Sequence, residues 1–265
     1  MFIVALPNEQ EELLQFLKKE PEVNLFMIAD LEFYGMNNNF IKVWYEKSKE
    51  KISTVVLTYY KNMILYSDFN DYDVNELMNL VKETNIDFFS CNEFNYKYIK
   101  PMFETIFTIR KHILAKITQL IKPKFVLLPA QIASVNDAEN IVESLYKVQE
   151  FRDYIPQNIK SKVSETIRKI EDGFAIHYII KRNGIVVANA NTSALCSSSA
   201  MIGGVFTLPE MRNLGLATSV VYSLCDFLLN KQIIPLLFFE NPQAASIYHR
   251  IGFIDIDTWY ICKKL

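Results

Sequence analysis

Glycine is scarce in this chain. There are seven among 265 residues, and only Gly35 comes before position 172. The other six are Gly173, Gly184, Gly203, Gly204, Gly215 and Gly252. Glycine lets a backbone turn sharply or approach a ligand closely, so backbone-mediated binding is expected in the second half. The four cysteines (Cys91, Cys196, Cys225, Cys262) form no CxxC pair. That pattern argues against a zinc site and fits a reducing, cytoplasmic compartment. The three histidines, His112, His177 and His249, share no ligand spacing, so no metal is expected. No apolar run reaches the ~18 residues of a membrane span. The opening MFIVALPNEQEELL lacks the basic stretch of a secretion leader. The net charge of -2 lacks the basic excess that phosphate backbones demand, so neither nucleic acid nor membrane is an expected partner.

What is present is ample core material: 50% of residues are hydrophobic and 22% charged. Two stretches begin alike, FIVALP at 2–7 and FVLLP at 125–129, each leading toward a helix. Asn8 with Glu11 and Asn136 with Glu139 have capping-box spacing, as do Asp73 and Glu76. This points to an internal duplication, with domains at 1–122 and 123–265. The expected order in the first half is strand, helices near 9–19 and 22–34, and strands near 40–46, 52–60 and 62–67. A helix at 74–84, a strand at 87–91, a helix at 96–103 and a strand at 105–117 complete it. The second half repeats the order. It has a strand at 125–129, a helix at 137–149, and a helix at 158–171 with Ile159, Val163, Ile167 and Ile170 on one face. Strands follow at 174–181, 185–195 and 199–207, the first two joined by an Asn183-Gly184 hairpin turn. A helix at 216–230, a strand at 233–239, a helix at 242–250 and strands at 253–257 and 258–263 finish the chain. The fold class is α/β (α+β).

The most informative segment is VFTLPEMRNLGLAT, Val205–Thr218. A strand ends at Pro209, the chain turns, and a helix opens behind Gly215. A strand–turn–helix unit of this kind presents free backbone N–H groups and a helix dipole to an anion such as a pyrophosphate. Arg212 adds positive charge and Ala217 is small. A second segment runs NPQAASIYHRIGF from Asn241 to Phe253. Ala244 and Tyr248 are four apart and share a helix face.

Arg212-Asn213-Leu214-Gly215-Leu216-Ala217 resembles the Q/R-x-x-G-x-G/A signature of the GNAT acetyltransferases. Asn241 through Phe253 resembles that family's N-x-x-A-x-x-x-Y-x-x-x-G-F element. The resemblance covers about 125–265. It implies a GNAT fold: a mixed, mostly antiparallel central sheet flanked by helices, with a degenerate GNAT-like first domain. That two-domain plan resembles the glycine N-acyltransferase-like proteins. In the first half the corresponding loop, YSDFNDYD at 66–73, has acids and no glycine, which would repel a pyrophosphate.

The resemblance further implies acetyl-CoA, or another acyl-CoA, as cosubstrate. Val205, Phe206 and Thr207 would bind its pantetheine arm. Arg212, Asn213, Leu214, Gly215, Leu216, Ala217 and Thr218 would take the pyrophosphate, with Asn241 and Ala244 in the second motif. The implied reaction is direct attack by a primary amine of a small molecule or peptide in a ternary complex, with Tyr248 as general acid. The general base is not apparent, because the strand SAMIGGVFT carries no carboxylate. Glu240 is the preferred candidate, ahead of His177, read as a core histidine, and His249, read as solvent-facing. Asn189 and Asn191 either line an acceptor pocket or face solvent, and Gly203-Gly204 marks a bulge. The alternative is an acyl-CoA-binding or sensing module with little catalysis. A monomer or homodimer is expected.

Overall fold

Each half of the chain opens with a two-residue strand, a tight turn and a helix. In the first half these are β1 (Ile3–Val4), the turn Pro7–Glu9 and α1 (Gln10–Leu17). In the second they are β7 (Gln131–Ile132), the turn Val135–Asp137 and α5 (Ala138–Lys147). In both turns an acid reaches back to the chain. The Leu6 amide donates to Glu9 Oε2 at 2.7 Å, and the Ser134 amide to Asp137 Oδ2 at 2.8 Å. The boxes expected at Asn8–Glu11 and Asn136–Glu139 therefore sit two residues earlier. The counterpart of FIVALP is the stretch from Gln131, not FVLLP. The computed structural model describes residues 1–151 and 158–265, the side chains of 242 and 243 apart.

Residues 125–129 form no strand. The Leu128 amide donates to Ser219 Oγ at 3.0 Å, and Val126 is exposed. An apolar run cannot by itself distinguish a strand from a packed coil. Pro123 and Pro129 also remove ladder donors at its ends.

The chain divides into two compact units. One holds Met1–Leu114 with Phe238–Glu240 and Asp255–Leu265, and the other holds Ala115–Leu237 with Asn241–Ile254. The first unit continues with α2 (Leu25–Tyr34), β2 (Ile41–Ser48), β3 (Lys51–Tyr59), β4 (Asn62–Ser67), α3 (Val74–Thr84), β5 (Phe88–Asn92), α4 (Glu93–Phe103) and β6 (Phe107–Lys116). The chain's last strand, β12 (Ile254–Lys264), is one strand rather than the two expected, and it lies between β5 and β6. Trp259 and Cys262 are buried there, and Tyr260 stacks on Tyr96 at 3.8 Å between ring centroids. The C-terminal strand thus completes the core of the first unit, which the boundary at 122 did not anticipate. Helix α3 starts at Asp73 as expected, but its carboxylate caps Asn75 rather than forming a box.

The second unit repeats the order with α6 (Ile159–Glu171), β8 (His177–Arg182), β9 (Ile185–Leu195), β10 (Ser199–Thr207), α7 (Leu216–Asn230), β11 (Ile234–Phe239) and α8 (Pro242–Ile251). Its strands lie in the order β7-β8-β9-β10-β11, with β10 and β11 parallel and the other pairs antiparallel. The first unit also has a single parallel pair among its described pairings, β4 with β5. Asn183 and Gly184 both take positive φ, 50° and 80°, in the expected hairpin turn. Helix α7 buries Val220, Val221, Leu224 and Leu228 completely and packs on β8, β9 and β10. Helix α6 differs from expectation. Thr166 is its only buried residue, and Ile159, Val163, Ile167 and Ile170 are only partly covered or exposed. No helix among the described residues is long and apolar enough to cross a membrane.

Candidate active site

The site begins where β10 loses a neighbour. It pairs with β11 from Ser199–Ile234 to Ile202–Leu237, and with β9 as far as Thr207–Ala188. The remaining backbone of β10, Gly203–Thr207, therefore has no partner on its β11 side among the described pairings. A bulge accounts for this. Gly203 lies opposite Asn191 and Phe206 opposite Asn189, so three steps on β10 meet two on β9. Gly204 takes φ +56°, and a Cβ there would collide with Asn191 Oδ1. At the end of this free edge, the buried hydroxyl of Thr207 has no hydrogen-bond partner.

The chain then turns through Pro209–Met211 into α7. Gly215 is the N-cap, with φ 76°, and no side chain caps the helix. A Cβ at 215 would stand 3.1 Å from Phe125 Cε2. Glycine is thus required by both the backbone angle and the ring of Phe125. The amides of Asn213 through Thr218 have no acceptor among the described residues, and no acid occupies the first turn of α7. Six unpaired backbone donors at the positive end of a helix suit an anion. Arg212 is less free than expected. Its Nη2 lies 2.9 Å from Glu150 Oε1, and its Nε donates to the Thr207 carbonyl at 3.4 Å.

Helix α8 packs on α7 and brings Ala244 and Tyr248 into the same unit. Tyr248 is buried, with its ring 5.9 Å from that of Phe253. Burial pushes its hydroxyl up to about 12. Asn241 accepts the Ala245 amide through its carbonyl at 3.0 Å. Glu240 is placed elsewhere. It clusters with the first unit, where its Oε1 lies 2.7 Å from His112 Nε2. Burial lowers the His112 pKa against the opposing pull of Glu240, and Nδ1 of this imidazole is buried without a partner. Sequence reasoning gave His112 no role, because its partner lies far away along the chain. His249 is exposed, as expected.

A cavity of about 250 Å³ lies in the second unit between α5, α6 and the sheet. Gly204 and Phe206 of the bulge form part of its wall, with His177, Asn189 and Asn191 beside them. Asn189 is almost fully buried and Asn191 half-buried, and both line the pocket. Asn189 Nδ2 donates to the Gly204 carbonyl at 2.7 Å and to Asn191 Oδ1 at 3.1 Å. Its Oδ1 must therefore accept from His177 Nδ1, 2.8 Å away. This fixes the tautomer: Nδ1 carries the proton and Nε2 keeps its lone pair. The histidine is buried and satisfied by Asn189, as the core-histidine reading expected, and it also lines the pocket beside the bulge.

Comparison with known proteins bears on the fold. Residues 183–261 match the FR47-like protein family. Among solved structures, an acetyltransferase of the GNAT family from Colwellia psychrerythraea superposes with a TM-score of 0.63 at 12% identity, covering 100% of both chains. A tandem GNAT protein from the clavulanic acid biosynthesis pathway superposes with a TM-score of 0.62 at 11% identity, covering 99% of this chain and 97% of its own. The chain has the GNAT fold, in tandem. A GCN5-related N-acetyltransferase from Sphaerobacter thermophilus is equally similar, with a TM-score of 0.66 at 10% identity over 100% of this chain and 95% of its own. No curated protein matches the sequence. The second unit holds the free strand edge, the glycine-led helix start and the helix that carries Tyr248. The loop after β4 in the first unit is acidic and lacks glycine.

Proposed function

We propose that this protein is an N-acyltransferase that moves an acetyl or other acyl group from acyl-CoA to a primary amine in a ternary complex. The observation that supports this most directly is the free edge of β10 running into the uncapped start of α7, with the Thr207 hydroxyl unpartnered between them. Such an edge suits an amide-bearing chain, and such a helix start suits a pyrophosphate. Acyl-CoA brings both, together with the activated thioester. A backbone N–H of Val205–Thr207 would donate to the oxygen that gains charge when nitrogen attacks the carbonyl. The C–N bond forms, the C–S bond breaks, and the thiolate leaves. The proton shed by nitrogen passes to solvent, and the thiolate takes one from it.

Tyr248 serves the leaving sulfur as a hydrogen-bond donor. Its hydroxyl sits near 12, whereas a thiol ordinarily titrates near about 8.5. A thiolate is therefore too weak a base to strip this phenol, and the proton stays on Tyr248. This refines the role of general acid that the family likeness implied.

The test is release of free thiol from acetyl-CoA in the presence of a panel of amines. Amine-dependent release supports the reading. Acyl-CoA binding with no release for any amine favours a sensing module, the alternative that the lack of a carboxylate in the cavity lining would suit.

A further inference from the structure

Helix α6 turns its polar side toward the sheet. Lys162, Thr166 and Lys169 line the cavity, while the isoleucines of the same helix lie partly in the open. A surface helix ordinarily does the reverse. A departure of this kind marks a place shaped for a ligand.

The charges on this wall are unbalanced. Lys162 Nζ lies 3.0 Å from Glu165 Oε2, and Lys169 Nζ lies 2.6 Å from Glu165 Oε1. Two ammonium groups share one carboxylate, so the trio carries one net positive charge. Each ammonium has three donors, which leaves capacity for a further acceptor. Among the described residues, no aspartate or glutamate lines the cavity. The opposite wall is self-satisfied. Asn189 spends both amide hydrogens on Gly204 and Asn191, Asn191 donates to the Thr192 carbonyl, and His177 is neutral. A cationic ligand would find no free counter-charge among the described lining residues, since Glu165 is already shared by two lysines.

Burial pushes the His177 pKa down to about 4 against the opposing bond from Asn189, and Lys162 and Lys169 lower it further. A cation inside this cavity is disfavoured, both by desolvation and by the two lysines.

We propose that the cavity takes a primary amine that carries its own acidic group, with the acid on Lys162 and Lys169 and the nitrogen toward Gly204. The proposal rests on the acyltransferase reading and deepens it. Amines with several positive charges, such as polyamines or lysine-rich peptides, are disfavoured. Burial and the two lysines, which lower the His177 pKa, also disfavour an ammonium on the acceptor and so ease its attack without a carboxylate base.

The test compares matched amines: 2-aminoethyl phosphate against ethanolamine, β-alanine against its amide, and 1,4-diaminobutane as the cationic extreme. Thiol release from acetyl-CoA gives kcat/KM, and the His177 imidazole resonance gives binding of each amine without acetyl-CoA. Expected is a preference of at least about tenfold for the acid-bearing member of a pair, the weight of one charge-assisted hydrogen bond. The preference should collapse in the Lys162→Met/Lys169→Met variant and survive in Glu165→Gln. Equal or better use of neutral or cationic amines by the wild type would overturn the proposal. So would an acid preference that survives loss of both lysines. If the wild type binds acetyl-CoA but no acid-bearing amine shifts His177, the proposal fails while the acyltransferase reading stands. If the acid-bearing amines shift His177 but acetyl-CoA does not bind, the subsite stands and the acyltransferase reading fails. The phosphate and carboxylate arms separate the two sources of negative charge.

Discussion

The side-chain amide of Asn189 holds the carbonyl oxygen of Gly204 at 2.7 Å, which fastens the wall of the cavity to the bulge of β10. The same side chain accepts the proton on His177 Nδ1. Asn189→Leu strands both groups in a buried setting. Each unsatisfied partner costs about 1–3 kcal/mol, so urea denaturation should show a loss of at least about 2 kcal/mol. Because the bulge frames the proposed reaction centre, kcat should fall more than acyl-CoA affinity.

Thr207→Val should separate stability from binding. The wild-type hydroxyl is buried with no partner, and valine removes it at nearly constant shape. Stability should rise by about 1 kcal/mol, visible as a higher Tm. If the hydroxyl meets acyl-CoA, affinity should fall about tenfold in the same variant.

Tyr248→Phe should lower kcat by about 10- to 100-fold, the weight of one hydrogen bond to a charged leaving group. Acyl-CoA affinity should change little. Because burial holds this hydroxyl near 12, its ionisation should not cut the wild-type pH–rate profile below pH 10.

His177 makes stability depend on pH. Its pKa is about 4 in the folded protein and 6.5 as a free side chain. Between those values the unfolded chain binds more protons, so stability is fully present above pH 6.5 and is lost as pH falls toward 4. The full effect approaches about 3 kcal/mol. Denaturation midpoints from pH 7.5 down to about 4.5 should fall less steeply in His177→Gln than in the wild type.

The parts of the fold that follow from local chemistry were legible in the sequence. The Asn183-Gly184 turn, the helix behind Gly215 and the bulge at Gly203-Gly204 each need a specific backbone angle, and their residues declare it. The duplication was legible, but its register was not. Glu9 and Asp137 cap the turns through side-chain bonds two residues ahead of the boxes that spacing alone offered. FVLL lacks the alternation that would have told coil from strand. The pairing of His112 with Glu240, and the insertion of β12 beside β5, join residues distant in sequence with no local mark. The polar inner side of α6 was hidden by its isoleucines, which suggested that the apolar face was the one against the sheet.

The most direct test of the account is calorimetric titration of acetyl-CoA into the wild type and into Gly215→Glu, with circular dichroism confirming that the variant is folded. The account predicts binding by the wild type and a loss of at least about hundredfold in the variant. Its side chain sets a carboxylate among the amides of residues 213–218 and a Cβ against Phe125. No binding by the wild type, or equal binding by both, would contradict it.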